Sequence, residues 1–368
     1  MTRLQQLHDE YGQSPWLDNL TRRYLRDGTV QRFVDSGIRG VTANPTILGK
    51  AIESSDDYDD DFAGMLERGL SVERAYWELV LDDIRVAADV LRPTHDASHG
   101  TDGFVSIEVG PEIAYDTDAT IAAARDLHRR LDLANVFVKI PATAQGVPAI
   151  EAMVAEGRNI NVTLIFALPR HEQVMDAYIS GLERLATAGG DVSRVQGVAS
   201  FFVSRVDTEV DKRLAAIGTD QALALRGRAA IAQAKLAYSA FQTKFGGARW
   251  ERLAALGASA QRPLWASTSA KDPAYPDTMY VDNLIGPDTV NTMPEKTIAA
   301  FEDHGHLARC VDEGHDNAVA TMSNLAQVGI SMDAVGNVLE EQGVASFHES
   351  FTHVLTSLES KATTLARR

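Results

Sequence analysis

The chain has 368 residues, 45% of them hydrophobic, enough for a large core and a globular rather than disordered fold. A formal net charge of −16 argues against a nucleic-acid surface or an anionic membrane as the main partner. A phosphorylated substrate would therefore need its own local positive charge.

Apolar runs that read as strands lie at 15–19, 38–43, 104–109, 136–140, 161–166, 195–200, 263–266 and 279–284. Helical patterns separate them. One covers 71–91, a second covers 117–131 after the cap-like Asp116, and a third covers 171–186 after Pro169. Ile231, Ala234, Tyr238, Phe241 and Phe245 recur at three- and four-residue spacing, marking one apolar helical face. Val335, Val338, Leu339, Phe347, Phe351, Leu355 and Leu358 mark a long C-terminal helix or helix pair. Eight strands separated mostly by helices imply parallel pairing through right-handed crossovers. A closed (β/α)8 TIM barrel is the simplest such architecture. The alternative, an open doubly wound sheet, usually shows a glycine-rich turn after its first strand, and 15–19 is followed by none. The expectation is a single domain over 1–368, with a helical insertion near 53–91 and a C-terminal helical extension near 302–368.

No apolar run is long enough to cross a bilayer, and the first residues hold no signal-peptide core. The single cysteine, Cys310, excludes an internal disulfide and a cysteine-based zinc site, so a reducing cytoplasm is the expected compartment.

Lys139 is the lone charge in Val136-Phe137-Val138-Lys139-Ile140-Pro141, at the carboxyl end of a run that reads as a buried strand. Loss of water there would disfavour the charged form and leave a free amine near neutral pH, as a Schiff-base nucleophile requires. A strand-end lysine reaching to solvent is the plainer alternative. Polar residues mark the other strand ends as well: Asp18, Thr42 with Asn44, Glu108, Asn161 with Thr163, Ser200 with Arg205, and Ser267, Ser269 and Lys271. In a parallel barrel all these ends open on one face, where barrel enzymes carry their sites. The set suits retro-aldol cleavage through an iminium. Asp18 would serve as base for a substrate hydroxyl, and Glu108 with Thr163 would handle water. Asn44 and Asn161 would hold the hydroxyls of a three-carbon unit. Arg205, Ser200, Ser267 and Lys271 would bind a terminal phosphate. Each also has a plainer reading: Asp18 as a helix cap, Asn44 as a turn residue, Glu108 as an ion-pair partner of a neighbouring strand, Arg205 as a surface residue. The acidic stretch 54–61 lacks the glycine and distal glutamate of a calcium loop, and His304-Gly305-His306 has no further ligand at metal spacing. No cofactor or metal motif is present.

Taken together, Thr42-Ala43-Asn44-Pro45-Thr46, Val105-Ser106-Ile107-Glu108-Val109, Val138-Lys139-Ile140-Pro141-Ala142-Thr143, Asn159-Ile160-Asn161-Val162-Thr163 and Ala199-Ser200-Phe201-Phe202-Val203-Ser204-Arg205 resemble the transaldolase family, in order, over roughly 15–285. The opening Ser14-Pro15-Trp16-Leu17-Asp18 resembles the longer transaldolases of high-GC Gram-positive bacteria. The resemblance implies an aldehyde- and ketone-transferring enzyme of the non-oxidative pentose phosphate pathway that needs no metal or cofactor. Lys139 would form the Schiff base with sedoheptulose 7-phosphate or fructose 6-phosphate. The dihydroxyacetone unit would pass to glyceraldehyde 3-phosphate or erythrose 4-phosphate. Thr42, Phe202 and Ser269 join the substrate-binding candidates, and a monomer or homodimer is expected. One position departs from the family: many members carry an arginine where Ser269 stands, and Lys271 would supply the missing charge. Three alternatives stay open: a fructose 6-phosphate aldolase, a sugar-phosphate-binding barrel without catalysis, and an isomerase. In the aldolase an amide replaces the water-handling acid, and Glu108 is a carboxylate.

Overall fold

The computed structural model describes residues 1–365. Eight parallel strands close in chain order: β1 Gln13–Leu17, β2 Gly40–Thr42, β3 Phe104–Glu108, β4 Val136–Pro141, β5 Ile160–Ile165, β6 Gly197–Phe202, β7 Arg262–Ala266 and β8 Thr289–Met293. β8 returns to β1, with Gln13 opposite Thr289 and Leu17 opposite Met293. The expected closed (β/α)8 barrel is therefore the observed one.

The eighth strand was expected at 279–284, and there the expectation fails. Met279–Asp282 is a short helix, and the strand lies later, in Thr-Val-Asn-Thr-Met. Its threonines and asparagine are buried, and hydrogen bonds meet most of their polar atoms: Thr268 donates to Asn291 Oδ1 at 2.9 Å and Thr289 to the Gly286 carbonyl at 2.5 Å. A strand with that composition does not read as an apolar run.

Side chains two apart on a strand share a face, and this sorts the barrel interior into levels. Trp16 packs against Phe137 with ring centroids 6.0 Å apart, and Phe137 against Phe104 at 4.2 Å. β1 and β4 are not neighbours, so the first contact spans the interior, and the three rings plug it. Gly40 on β2 gives them room, since a Cβ there would lie 2.5 Å from the Trp16 ring. One or two steps further along the same faces stand Asp18, Glu108 and Lys139. The apolar plug is thus the floor under a polar layer at the strands' carboxyl ends.

Helices fill the connections. Pro45–Ser54 follows β2, capped by Asn44, whose Oδ1 accepts from the Ile47 amide at 2.9 Å, with Pro45 in the first turn. Val72–Ala97 precedes β3, and Thr117–Leu131 begins at the Asp116 cap. After β5 comes Leu168–Thr187, after β6 Ser204–Ile217, and Ala229–Lys244 precedes β7. Among the described residues no helix is long and apolar enough to cross a membrane.

The expected helix or helix pair near the C-terminus is one helix, Met332–Leu365. It touches Pro45–Ser54, the turn Pro111–Ile113, β5 and Ser204–Ile217, all at or just beyond strand carboxyl ends, so it crosses that face of the barrel. Glycines seat it. A Cβ on Gly336 would lie 2.7 Å from that of Ala167, and one on Gly49 would run into Val354. Phe351 packs on Tyr76 at 5.5 Å, and Lys361 donates to the carbonyls of Ile52 and Ser55 at 2.8 and 2.7 Å.

Gly49→Ala improves helix propensity in isolation by about 1 kcal/mol. Here the added methyl meets Val354, and overpacking of this kind costs about 1–3 kcal/mol. The variant is expected to melt below the parent, and Val354→Ala in the same chain to recover part of the loss. A raised melting temperature in Gly49→Ala would contradict this packing.

Candidate active site

A cavity of about 270 Å³ opens at the carboxyl ends of the strands. Asp18, Thr42, Asn44, Lys139, Thr163, Ser200, Phe202, Arg205, Ser267, Ser269 and Lys271 line it, together with Ala266, Thr292, Pro294 and Phe347. Residues far apart in sequence are thereby gathered at one place.

Lys139 is 7% exposed and Glu108 3%. Glu108 lies opposite Lys139 in the β3–β4 register, and Nζ stands 3.2 Å from Oε2. The partner that a buried lysine needs is this carboxylate. The expectation of a free amine at Lys139 named no partner for it, whereas the plainer reading of Glu108 as an ion-pair partner of a neighbouring strand anticipated this pair. Burial pushes the Glu108 pKa above its usual range, while the Lys139 charge pulls it back and Asp18 adds to the rise. Glu108 does not line the cavity; it backs Lys139 from β3.

Asn161 continues the row, opposite Lys139 across β4 and β5. It too is fully buried and off the cavity surface. Its Nδ2 donates to Ser106 Oγ at 3.1 Å, and its Oδ1 accepts from Ser200 Oγ at 2.7 Å. Next on β5 the register with β6 shifts between Val162 and Ile165, and Leu164 takes φ +60°. This bulge holds Thr163 at the wall, where its buried Oγ1 meets no hydrogen-bonding partner among the described residues.

Just past β1, Asp18 accepts from Thr42 Oγ1 at 2.8 Å, and Thr42 Oγ1 lies 2.6 Å from Thr292 Oγ1. Asp18 is not the cap of the helix that follows; Thr21 is. Asn44 is a cap, and with Oδ1 committed there, its amide nitrogen is the group left to meet a ligand.

The far wall carries the cations. Arg205 lies 5.3 Å from the Phe202 ring centroid and forms no ion pair among the described residues. Burial lowers its pKa from the usual arginine value. Lys271, exposed at the rim, donates to Ser269 Oγ at 2.9 Å. Partial desolvation and the neighbouring Arg205 charge lower its pKa. Ser267 sits at φ +56° with Oγ 2.9 Å from Ser204 Oγ, and its carbonyl accepts from the Ser204 amide at 3.0 Å. Two deeper carboxylates tie the same segments. Asp207 accepts from Tyr280 at 3.0 Å and from the Ala230 amide at 2.8 Å; Asp211 accepts from Tyr275 at 2.5 Å and from the Gly227 amide at 2.9 Å. Burial raises the Asp207 pKa to about 6.

Sequence reasoning missed Ala266, Thr292, Pro294 and Phe347. Thr292 and Pro294 were lost with the misassigned eighth strand, although Pro294 follows its strand much as Pro45 follows β2. Nothing local marks Phe347, which reaches the cavity only because its helix crosses the barrel.

A chamber of this kind, holding an amine backed by a carboxylate and walled by cations at the carboxyl ends of an α/β barrel, defines an enzyme for small anionic substrates. The profile of the transaldolase/fructose-6-phosphate aldolase family matches residues 15–358, and the chain belongs to that family. It is 50% identical to the transaldolase of Thermobifida fusca over 354 residues, 96% of each chain. It is 48% identical to transaldolase 2 of Streptomyces coelicolor over 365 residues, covering 99% of this chain and 98% of that one. It is also 48% identical to the transaldolase of Mycobacterium leprae over 359 residues, 97% and 96% of the two chains.

Asp207→Ala leaves the Tyr280 hydroxyl and the Ala230 amide without their acceptor. Each buried unpaired donor costs about 1–3 kcal/mol. Equilibrium unfolding is expected to show a loss of that size. An unchanged midpoint would mean that this carboxylate does not hold the two segments together.

Proposed function

We infer that the chain is a transaldolase, moving a dihydroxyacetone unit from sedoheptulose 7-phosphate or fructose 6-phosphate to glyceraldehyde 3-phosphate or erythrose 4-phosphate. The observation that carries the site reading is the buried Lys139–Glu108 pair, 3.2 Å apart above the aromatic floor. A proton passed from Nζ to Glu108 leaves both groups uncharged and the amine nucleophilic. Nζ then attacks the ketone carbon, water leaves, and the iminium withdraws electrons as the adjoining carbon–carbon bond breaks. Asp18 takes the proton of the donor hydroxyl during that cleavage, held in place by Thr42. The aldose phosphate departs, and the three-carbon unit remains on Lys139 until an acceptor aldehyde takes it.

Glu108 and the free Thr163 hydroxyl handle the water lost and regained in the imine steps. Asn44 holds a hydroxyl of the three-carbon unit through its amide nitrogen. Asn161 belongs to the same donor set and acts by way of Ser200 Oγ. Arg205, Lys271, Ser267 and Ser269 bind the terminal phosphate, with the arginine supplying the fork and the lysine a point charge. Phe202 supports Arg205 from below. A cytoplasmic location fits the single thiol, Cys310.

The test is glyceraldehyde 3-phosphate release from fructose 6-phosphate, with and without erythrose 4-phosphate. Sustained release only with the acceptor is expected; sustained release without it would make the protein an aldolase. Lys139→Ala is expected to abolish turnover while the melting profile stays cooperative, and substantial residual activity would remove the Schiff-base mechanism. Lys271→Ala is expected to raise KM for phosphorylated substrates more than it lowers kcat. A pure kcat defect would take Lys271 out of the phosphate role.

A further inference from the structure

Every residue lining the cavity belongs to a barrel strand, to the loop just beyond it or, for Arg205, to the first turn of the helix that follows β6, except Phe347. Phe347 rides on Met332–Leu365, one helical turn after Gly343 and one before Phe351. Both neighbours are buried. A Cβ on Gly343 would lie 3.1 Å from Leu164 Cδ2 on β5, and Phe351 packs against Tyr76 on the other side. Phe347 falls between these two anchor points, in the same inward series, yet it remains partly exposed. What lies beneath it is the mouth of the cavity rather than the barrel wall.

An apolar ring over that mouth has a chemical consequence. Once the aldose phosphate leaves, the enamine on Lys139 has two fates. It can add to an acceptor aldehyde, forming a carbon–carbon bond. Alternatively its carbon takes a proton, one water adds to the resulting iminium carbon, a proton is returned, and the carbon–nitrogen bond breaks. That second route consumes one water and yields dihydroxyacetone and the free Lys139 amine, with no change of oxidation state. Exclusion of water while the phosphate-bearing fragments exchange favours the first route.

We propose that Phe347 is the roof of the site, a specificity-determining residue that shields the Lys139-bound three-carbon unit from water and so keeps the enzyme a transferase. The proposal rests on the transaldolase reading and deepens it. The rest of the helix clamps the ring in position through Gly336, Gly343, Val354 and Lys361, none of which touches the cavity.

The experiment compares the full-length parent with Phe347→Ala and Phe347→Leu. Two rates are read: glyceraldehyde 3-phosphate release from fructose 6-phosphate without acceptor, and transfer to erythrose 4-phosphate. Phe347→Ala is expected to raise the acceptor-free rate about tenfold, a barrier lower by about 1.4 kcal/mol. Phe347→Leu, which keeps an apolar cover, is expected to stay close to the parent. A side chain that only stabilised the helix would lower both rates together when truncated. An acceptor-free rate unchanged or reduced in Phe347→Ala therefore overturns the proposal. Absence of transfer in the parent itself would instead remove the transaldolase reading, so the two failures are distinct.

Discussion

The cross-strand pair of Glu108 and Lys139 is the interaction around which the molecule is arranged. Two ionisable side chains, 3% and 7% exposed, stand 3.2 Å apart on adjacent strands. Burying either alone would cost several kcal/mol, and even the pair regains that only with good geometry. Such a pair is weak evidence for stability and marks a candidate site of chemistry. Its geometry comes from register. Glu108 is opposite Lys139 because Val105 is opposite Val136, and a slip of one residue would turn every side chain of the strand to the other face. Closure of the barrel removes the freedom to slip, since β3 and β4 are each held on both sides.

The same alternation explains how a polar layer survives inside a core. Trp16, Phe104 and Phe137 fill the interior below, and Gly40 yields the space their rings need. Most of the polar side chains above them, Asp18 and Lys139 included, face a cavity rather than close packing. Among them Thr163 and Ser200 flank the bulge at Leu164, where the β5–β6 register breaks. Local strain of this kind persists only when the surroundings fix it, and here the two neighbouring strands and the helix above do so.

Charge is organised against the mean field. A chain of net charge −16 gathers Lys139, Arg205 and Lys271 around one small cavity, with Asp18 facing them. Arg205 and Lys271 repel one another, so their segments need mechanical coupling. The Ser204–Ser267 contacts and the carboxylates of Asp207 and Asp211, taking hydrogen bonds from Tyr280 and Tyr275, supply it. The concentration of positive charge at the cavity is thus held in place by neutral and acidic groups, most of them outside it.

Much of this was written in the sequence. Short apolar runs alternating with helical periods fix the fold class, and polar residues at their ends name most of the cavity's lining. Those signals are local, because strand and helix periodicity express which face of a segment is buried. Three features were decided only by tertiary structure. β8 hides its identity because its buried threonines and asparagine do not read as an apolar run, and hydrogen bonds made only in the fold meet most of their polar atoms. That Glu108 pairs with a neighbouring strand was one reading of the sequence, but that its partner is Lys139 follows only from register. Phe347 carries no signal of its own, being one apolar residue on a helical face among many, and its position over the site follows from the path of the whole Met332–Leu365 helix. Sequence determines which groups can be buried, and the closure of the barrel decides which of them meet.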